Sequence, residues 1–168
     1  MLIREIIVDD AQRFLSLCKK LDEETKFMLY EPGERHIGVE EQRRHIEAVR
    51  EAKNQTILVS EESDELIGFI TALGRPYKRK RHAAHVVVGI LQKHAHQGTG
   101  TKLFTAMEKW ALKHKIHRLE LSVMVHNKAA IGLYRKMGFQ TEGRMKDSLV
   151  VDGRYVDEYL MAKTLEDI

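Results

Sequence analysis

Apolar residues run in short blocks or alternate with polar ones over 2–8 (LIREIIV), 56–60 (TILVS), 66–74 (LIGFITALG), 82–91 (HAAHVVVGIL) and 118–123 (RLELSV), which predicts five strands. Elsewhere the period is helical. Phe14, Leu17, Cys18 and Leu21 form one stripe behind Asp9 or Asp10 as the cap, and Val39 to Lys53 reads as a charged surface helix with a thin apolar stripe. Leu103, Met107, Trp110 or Ala111, and His114 mark a third helix. Asn127 suits the N-cap of a short fourth helix through Met137, which Gly138 and Phe139 terminate with the glycine and apolar contact of a helix stop. Turn residues Ser63-Asp64 join two of the strands, and Asp152-Gly153 closes a final hairpin between FQTEGRMKDSLV (139–150) and YVDEYLMAKTL (155–165). The predicted order is β-α-α-β-β-β-α-β-α-β-β, an α/β chain.

At 168 residues and 43% hydrophobic composition, residues 1–168 fit one domain with a substantial core. The 28 Lys and Arg nearly cancel the 25 Asp and Glu, a surplus too small to imply nucleic acid as a partner, and the basic run Lys78 to Arg81 reads first as a solvated loop. A single cysteine, Cys18, allows no internal disulfide, and the charged N-terminal segment and lack of a long apolar run argue against a signal peptide or membrane span. Cytoplasm is the expected location.

One stretch points to a ligand. HAHQGTGTKLF (94–104) places two glycines between a strand and a helix, where unpaired backbone N–H groups and the helix dipole attract phosphate. Gly98 and Gly100 would let oxygens approach the main chain, with Thr99 and Thr101 adding hydroxyl donors. A Walker A loop is excluded because Gly100 is followed by Thr101 before Lys102, and the dinucleotide fingerprint lacks its third glycine, Leu103 standing there.

The stretch GILQKHAHQGTGTKLFTAMEKWA followed by RLELSVMVHNKAAIGLYRKMGF resembles the GNAT superfamily of N-acetyltransferases in content, order and spacing. The likeness covers nearly the whole chain. It implies the GNAT fold, a mixed central β-sheet flanked by helices, and acetyl-CoA as co-substrate. It further implies a pyrophosphate loop at Gln97, Gly98, Thr99, Gly100 and Thr101, and a pantetheine-binding strand end at Ile90. Ala95 departs from the pattern, since the family usually carries Arg or Gln three residues before the first glycine. His94 and His96 are candidates to take the place of that side chain.

Asn127 and Tyr134 lie seven residues apart, within about 20° of one helix face and ~10.5 Å along its axis, so both can touch one extended ligand. The resemblance implies that Asn127 contacts the cofactor arm and that Tyr134 is the catalytic acid protonating the departing sulfur. The chemistry asks for such groups. An amine with pKa near ~10.4 must lose a proton before attacking a thioester, and a thiolate near ~8.5 leaves more readily with a proton donor. A strand N–H near Ile90 would stabilise the oxyanion if the strands part there, and Gly89 predicts a bulge that splays them. The base stays open between His82, His85 and ordered water. His94-x-His96 has no further ligand at metal spacing, so no metal is expected.

The 23–38 segment is the acceptor-shaping region in the family the chain resembles. Its Glu24, Glu31 and Glu34 are candidates to attract a cationic amine, with Phe27, Met28 and Tyr30 as a wall. The acceptor class spans small-molecule amines, polyamines and protein N-termini, and the resemblance adds a homodimer formed through the C-terminal strands. Two competing readings are a non-catalytic acyl-CoA sensor, motivated by Ala95 and the absent strand carboxylate, and a dinucleotide-dependent oxidoreductase.

Overall fold

The computed structural model describes residues 1–166. Its elements run β1 (Leu2–Glu5), α1 (Ala11–Glu24), α2 (Val39–Glu51), β2 (Gln55–Glu62), β3 (Glu65–Gly74), β4 (Ala83–Ile90), α3 (Thr99–Lys113), β5 (Arg118–Met124), α4 (Lys128–Lys136), β6 (Gln140–Val151) and β7 (Arg154–Thr164). The seven strands form one sheet in the order β1-β2-β3-β4-β5-β7-β6, with β4 and β5 the single parallel pair. The order of elements is the one the hydrophobic pattern predicts.

Strand alternation sorts the core into two layers. Leu58, Ile70, Ala84, Val86, Leu119, Leu121 and Met161 point to one face and pack with Leu103, Phe104 and Met107 of α3 and Ile131 of α4. Their neighbours Ile57, Val59 and Phe69 point to the other, against Phe14, Leu17 and Leu21 of α1 and Ile46 and Val49 of α2. Ser63 and Asp64, with φ of 50° and 63°, and Asp152 and Gly153, at 51° and 75°, supply the left-handed pairs that tight hairpins need.

Two boundaries and one cap differ from the pattern. The first strand stops at Glu5 rather than running to residue 8, because Val8–Asp10 turn into a short 3-10 helix. The charged helix ends at Glu51. Asp10 stands at the N-cap of α1 without bonding to its amides; its buried carboxylate accepts the Ile7 N–H at 2.9 Å and pairs with Arg4 and Arg13, each at 2.7 Å. Those two guanidiniums also hold Glu61 at 2.9 Å, so one four-membered charge cluster ties β1, α1 and β2 together.

The site is positioned by the point at which the parallel pair stops. β4 pairs with β5 only at Ala83, Ala84 and His85, opposite Arg118, Leu119 and Glu120. Beyond them, residues 86–90 of β4 stay in continuous register with β3, so the sheet opens between β4 and β5. The expected bulge at Gly89 is absent. A Cβ there would stand 2.8 Å from Leu21 Cδ1 and 2.9 Å from Phe69 Cε1, so this glycine serves the close seating of α1 on the sheet.

Candidate active site

The cleft between β4 and β5 gathers most of the residues singled out from the sequence. Leu91 N–H bonds to Ile67 O at 2.9 Å on β3, so by strand alternation the N–H groups of Ile90 and Val88 turn the other way, toward the opening. These are the donors an oxyanion would meet.

At its upper end the cleft meets the N-terminus of α3. Gly98 adopts φ 80°, the left-handed conformation that favours glycine, and no atom lies within 4 Å of where its Cβ would be. The first carbonyl to close the helix is Gly98 O, which accepts Lys102 N–H at 3.1 Å. The amides of Thr99, Gly100 and Thr101 are therefore free to donate outward, the donor set that a diphosphate needs.

The two glycines do different work. A Cβ on Gly100 would stand 2.6 Å from Leu133 Cδ2 and 3.4 Å from Ile90 Cδ1, so Gly100 lets α3 seat against α4 and the end of β4, while the open cradle is at Gly98. The side chains separate likewise. Thr99 is buried, its hydroxyl directed at Met1 Sδ at 3.5 Å, so it offers the cradle a backbone N–H but not the hydroxyl expected of it. Thr101 Oγ1 is reached by Lys136 Nζ at 3.3 Å, which brings a cation from α4 to the cradle. Sequence reasoning missed Lys136, because its proximity depends on how two helices dock. Gln97 is exposed on the approach and donates to Lys93 O at 3.3 Å. His94 does not take the place of the Arg or Gln for which Ala95 stands: its Nδ1 lies 3.3 Å from Glu62 Oε2, turned back toward the β2–β3 hairpin.

Asn127 caps α4, its Oδ1 accepting Ala130 N–H at 3.3 Å, which leaves the amide nitrogen unused. Seven residues on, Tyr134 is only 8% exposed, edge-on to Phe104 at 5.6 Å and beside Phe139 at 6.2 Å. No described residue hydrogen-bonds its hydroxyl, and burial pushes its pKa up to about 12. Such a phenol keeps its proton at neutral pH and gives it up only to a stronger base.

The two histidines considered as bases lie away from the opening. His85 pairs opposite Glu120 and Leu73, at the closed end of the parallel pair, and His82 precedes the strand and lies 6.5 Å from His117. Both are remote from the residues that line the opening, because the strands diverge after them.

The acceptor candidates also scatter. Glu24 closes α1 and its carboxylate accepts the Gln92 N–H at 2.6 Å, just past the end of β4. Glu34 folds onto its own turn, accepting Glu31 N–H at 3.3 Å, and Tyr30 carries the Arg35 guanidinium 4.4 Å above its ring. Arg35 in turn pairs with buried Asp22 at 2.8 Å. This packing orders the segment around Arg35, engages the Tyr30 ring and the Glu34 carboxylate, and leaves the Glu31 side chain exposed. Two residues of the segment meet the C-terminal half of the chain: Lys26 pairs with Asp152 in the β6–β7 turn, and the Phe27 ring lies 5.1 Å from that of His126 just before α4.

Residues 16–139 match the profile of the Acetyltransferase (GNAT) family, and the chain belongs to that family. It is similar to the L-amino acid N-acetyltransferase AaaT of Escherichia coli (strain K12), 30% identical over 103 residues, 59% of this chain and 62% of that protein. The ribosomal protein uS5-alanine N-acetyltransferase of the same organism is 31% identical over 111 residues, 66% of this chain and 57% of that one. The chain thus spans about three fifths of the length of these relatives. Among solved structures, a GNAT-family acetyltransferase from Streptococcus pneumoniae superposes with a TM-score of 0.94 at 27% identity, covering 98% of this chain and 99% of that one. The Salmonella typhimurium protein yncA, solved with its cofactor acetyl-CoA, shares the fold with a TM-score of 0.88 at 22% identity, covering 100% and 95%. The oxidoreductase reading is overturned by the family match.

The cradle makes one prediction of its own. Gly98→Ala places a side chain in the left-handed region, costing about 1–2 kcal/mol, and fills the open side of the cradle. Isothermal titration should show acetyl-CoA affinity reduced at least ~10-fold with the fold kept.

Proposed function

We propose that the protein is an N-acetyltransferase moving the acetyl group of acetyl-CoA to a primary amine by direct transfer in a ternary complex. The observation that carries this reading is the opening between β4 and β5, with free α3 amides at one end and a buried phenol, Tyr134, on the helix that follows β5. The residues present fit the cofactor. The amides of Thr99, Gly100 and Thr101, with Lys136 and Gln97, would hold its diphosphate, and Asn127 and Ile90 its pantetheine arm. The bound cofactor supplies an activated thioester. The chain's own part is to orient it, to offer the Val88 and Ile90 amides to negative charge on the carbonyl oxygen, and to deliver the Tyr134 proton to the sulfur.

The relatives described above are an L-amino acid N-acetyltransferase and a ribosomal protein uS5-alanine N-acetyltransferase, which supports turnover over a binding-only sensor and favours an amino-acid or peptide α-amine as acceptor. Lys26, Phe27 and His126 border the acceptor entrance in this reading, with Glu24 at its edge. A cytoplasmic location goes with a lone, buried, unpaired Cys18 and with the absence, among the described residues, of any helix long and apolar enough to cross a membrane. A homodimer would form along β6, the edge strand, where Met145 and Val150 are exposed. Light scattering at increasing protein concentration tests that association.

The function is tested by release of free thiol from acetyl-CoA in the presence of L-methionine, spermidine and an alanine-terminated peptide. Saturable release with at least one of them is expected. Binding of acetyl-CoA without thiol release across a broad amine collection would instead establish a sensor.

A further inference from the structure

The half-face of the sheet that α1 and α2 leave uncovered carries an unusual carboxylate. Every other buried or half-buried acid among the described residues has a cation: Asp10 and Glu61 share Arg4 and Arg13, Asp22 has Arg35, Glu108 has Lys163, Glu120 has Arg118 and Asp157 has Arg144. Glu158 is half-buried and has none. Among the described residues its one hydrogen bond comes from Ser148 Oγ, which donates to Oε1 at 2.6 Å, and Oε2 takes none.

Its position is set by strand register. Glu158 of β7 lies opposite Met124 of β5, and Tyr159 next to it packs against the α3 side, so Glu158 points to the α1 side. Met124 is the last residue of β5, on the strand that forms one wall of the opening, and neighbouring strands run ~4.8 Å apart. Glu158 therefore stands one strand away from the cleft, on the side from which the 25–38 segment closes down through Phe27 and His126. The strand opposite is shaped for it as well. The β6–β7 register shifts between Met145 and Leu149, Asp147 takes φ 51°, and its N–H is pinned to Asp157 Oδ1 at 2.8 Å. This irregularity aims Ser148 at the carboxylate, as bulges near active sites commonly re-aim a side chain.

We propose that Glu158 is the catalytic residue that receives the acceptor's ammonium proton, a role that rests on the acetyltransferase reading above. A carboxylate kept free of arginine and lysine in a half-buried site is matched to a ligand cation, and a primary ammonium is the cation the reaction brings. Ser148 fixes one oxygen so that the other faces the cleft. In the step, an N–H bond of the ammonium breaks and its proton passes to Oε2, directly or through one water. The freed lone pair forms the C–N bond as the C–S bond breaks. The sulfur leaves with the Tyr134 proton. The surplus proton on the new amide nitrogen and the one held by Glu158 are lost to solvent, from which the phenolate is reprotonated. This placement answers the question that His82 and His85, at the closed end of the strand pair, do not.

Glu158→Gln keeps the shape and the acceptor for Ser148 but cannot take a proton. At about pH 7 its kcat/KM for the accepted amine is expected to fall ~100-fold, with the melting temperature and acetyl-CoA affinity unchanged. At about pH 9.5, where a larger share of an ordinary amine is already neutral, the deficit should shrink below ~10-fold. The other titratable groups at this face, the Arg118–Glu120–Glu142 cluster lower on the sheet and His126 with Lys26 and Asp152 at its rim, are untouched by the change. Activity within threefold of wild type at the lower pH, or an equal deficit at both, overturns the assignment while leaving the acetyltransferase reading standing. Wild-type protein that binds acetyl-CoA but acetylates no amine removes both.

Discussion

Tyr134→Phe is expected to lower kcat by about 10³-fold while acetyl-CoA affinity changes less than about twofold, because the substitution removes a proton donor and little else. The ring makes the packing contacts, edge-on to Phe104 and beside Phe139, and phenylalanine preserves them. The hydroxyl has no partner among the described residues to leave stranded, so the variant should melt within a degree or two of wild type. Steady-state kinetics with calorimetric measurement of cofactor binding separates the two effects. An equal loss of affinity and rate would mean that the hydroxyl binds the cofactor rather than protonating the sulfur. Burial raises the phenol to about 12, so the wild-type enzyme should show no alkaline loss of kcat from this group up to about pH 10.5.

The largest effect on stability is expected at Asp10, whose carboxylate is 1% exposed and pairs with two guanidiniums. Asp10→Ala removes one partner of a buried cluster and leaves Arg4 and Arg13 with Glu61 as their shared carboxylate, at a cost of about 3 kcal/mol; the figure sits at the low end for such losses because that second pairing is kept. Urea unfolding at neutral pH measures it. The same cluster sets a pH dependence. Burial alone would raise the Asp10 carboxyl, but hydrogen bonds from Arg4, the Ile7 amide and Arg13 outweigh it and bring it down to about 2. A group whose pKa is lower folded than unfolded stabilises the protein above its unfolded value, near 3.8. That contribution should vanish as pH falls from about 4 through about 2, and the Asp10→Ala variant should show a shallower acid transition over that window.

Much of the fold is legible in the sequence because its signals are local. Period-two blocks mark the central strands, 3.6-residue stripes on Phe14, Leu17, Leu21 and on Leu103, Met107, Ala111 mark the helices, and Ser63-Asp64 and Asp152-Gly153 mark the hairpins, each element carrying its own burial pattern. The pattern misleads where a distant partner decides. β1 ends early because Asp10 is drawn into a cluster with Glu61. The splay of β4 from β5 needs no bulge, because pairing simply stops after His85 and Glu120. That Tyr30 carries Arg35, itself held by Asp22, and that Glu34 accepts the Glu31 amide could not be read along the chain. Glu158 does leave a readable mark: in Val156, Glu158, Leu160 and Ala162 one charge interrupts an otherwise apolar strand face.

Spacings within about a dozen residues suffice for the elements, their order, the glycine turn ahead of α3 and the seven-residue offset between Asn127 and Tyr134, and all of these could be read along the chain. Assembly of the sheet was needed to distinguish the cradle glycine from the packing glycine, to bring Lys136 to Thr101, and to leave Glu158 uncompensated beside the opening. The difference is one of range. A helix or turn is stabilised by neighbours along the chain, whereas the charge balance and free space around a side chain depend on strands and helices that are far apart in sequence and meet only in the folded protein.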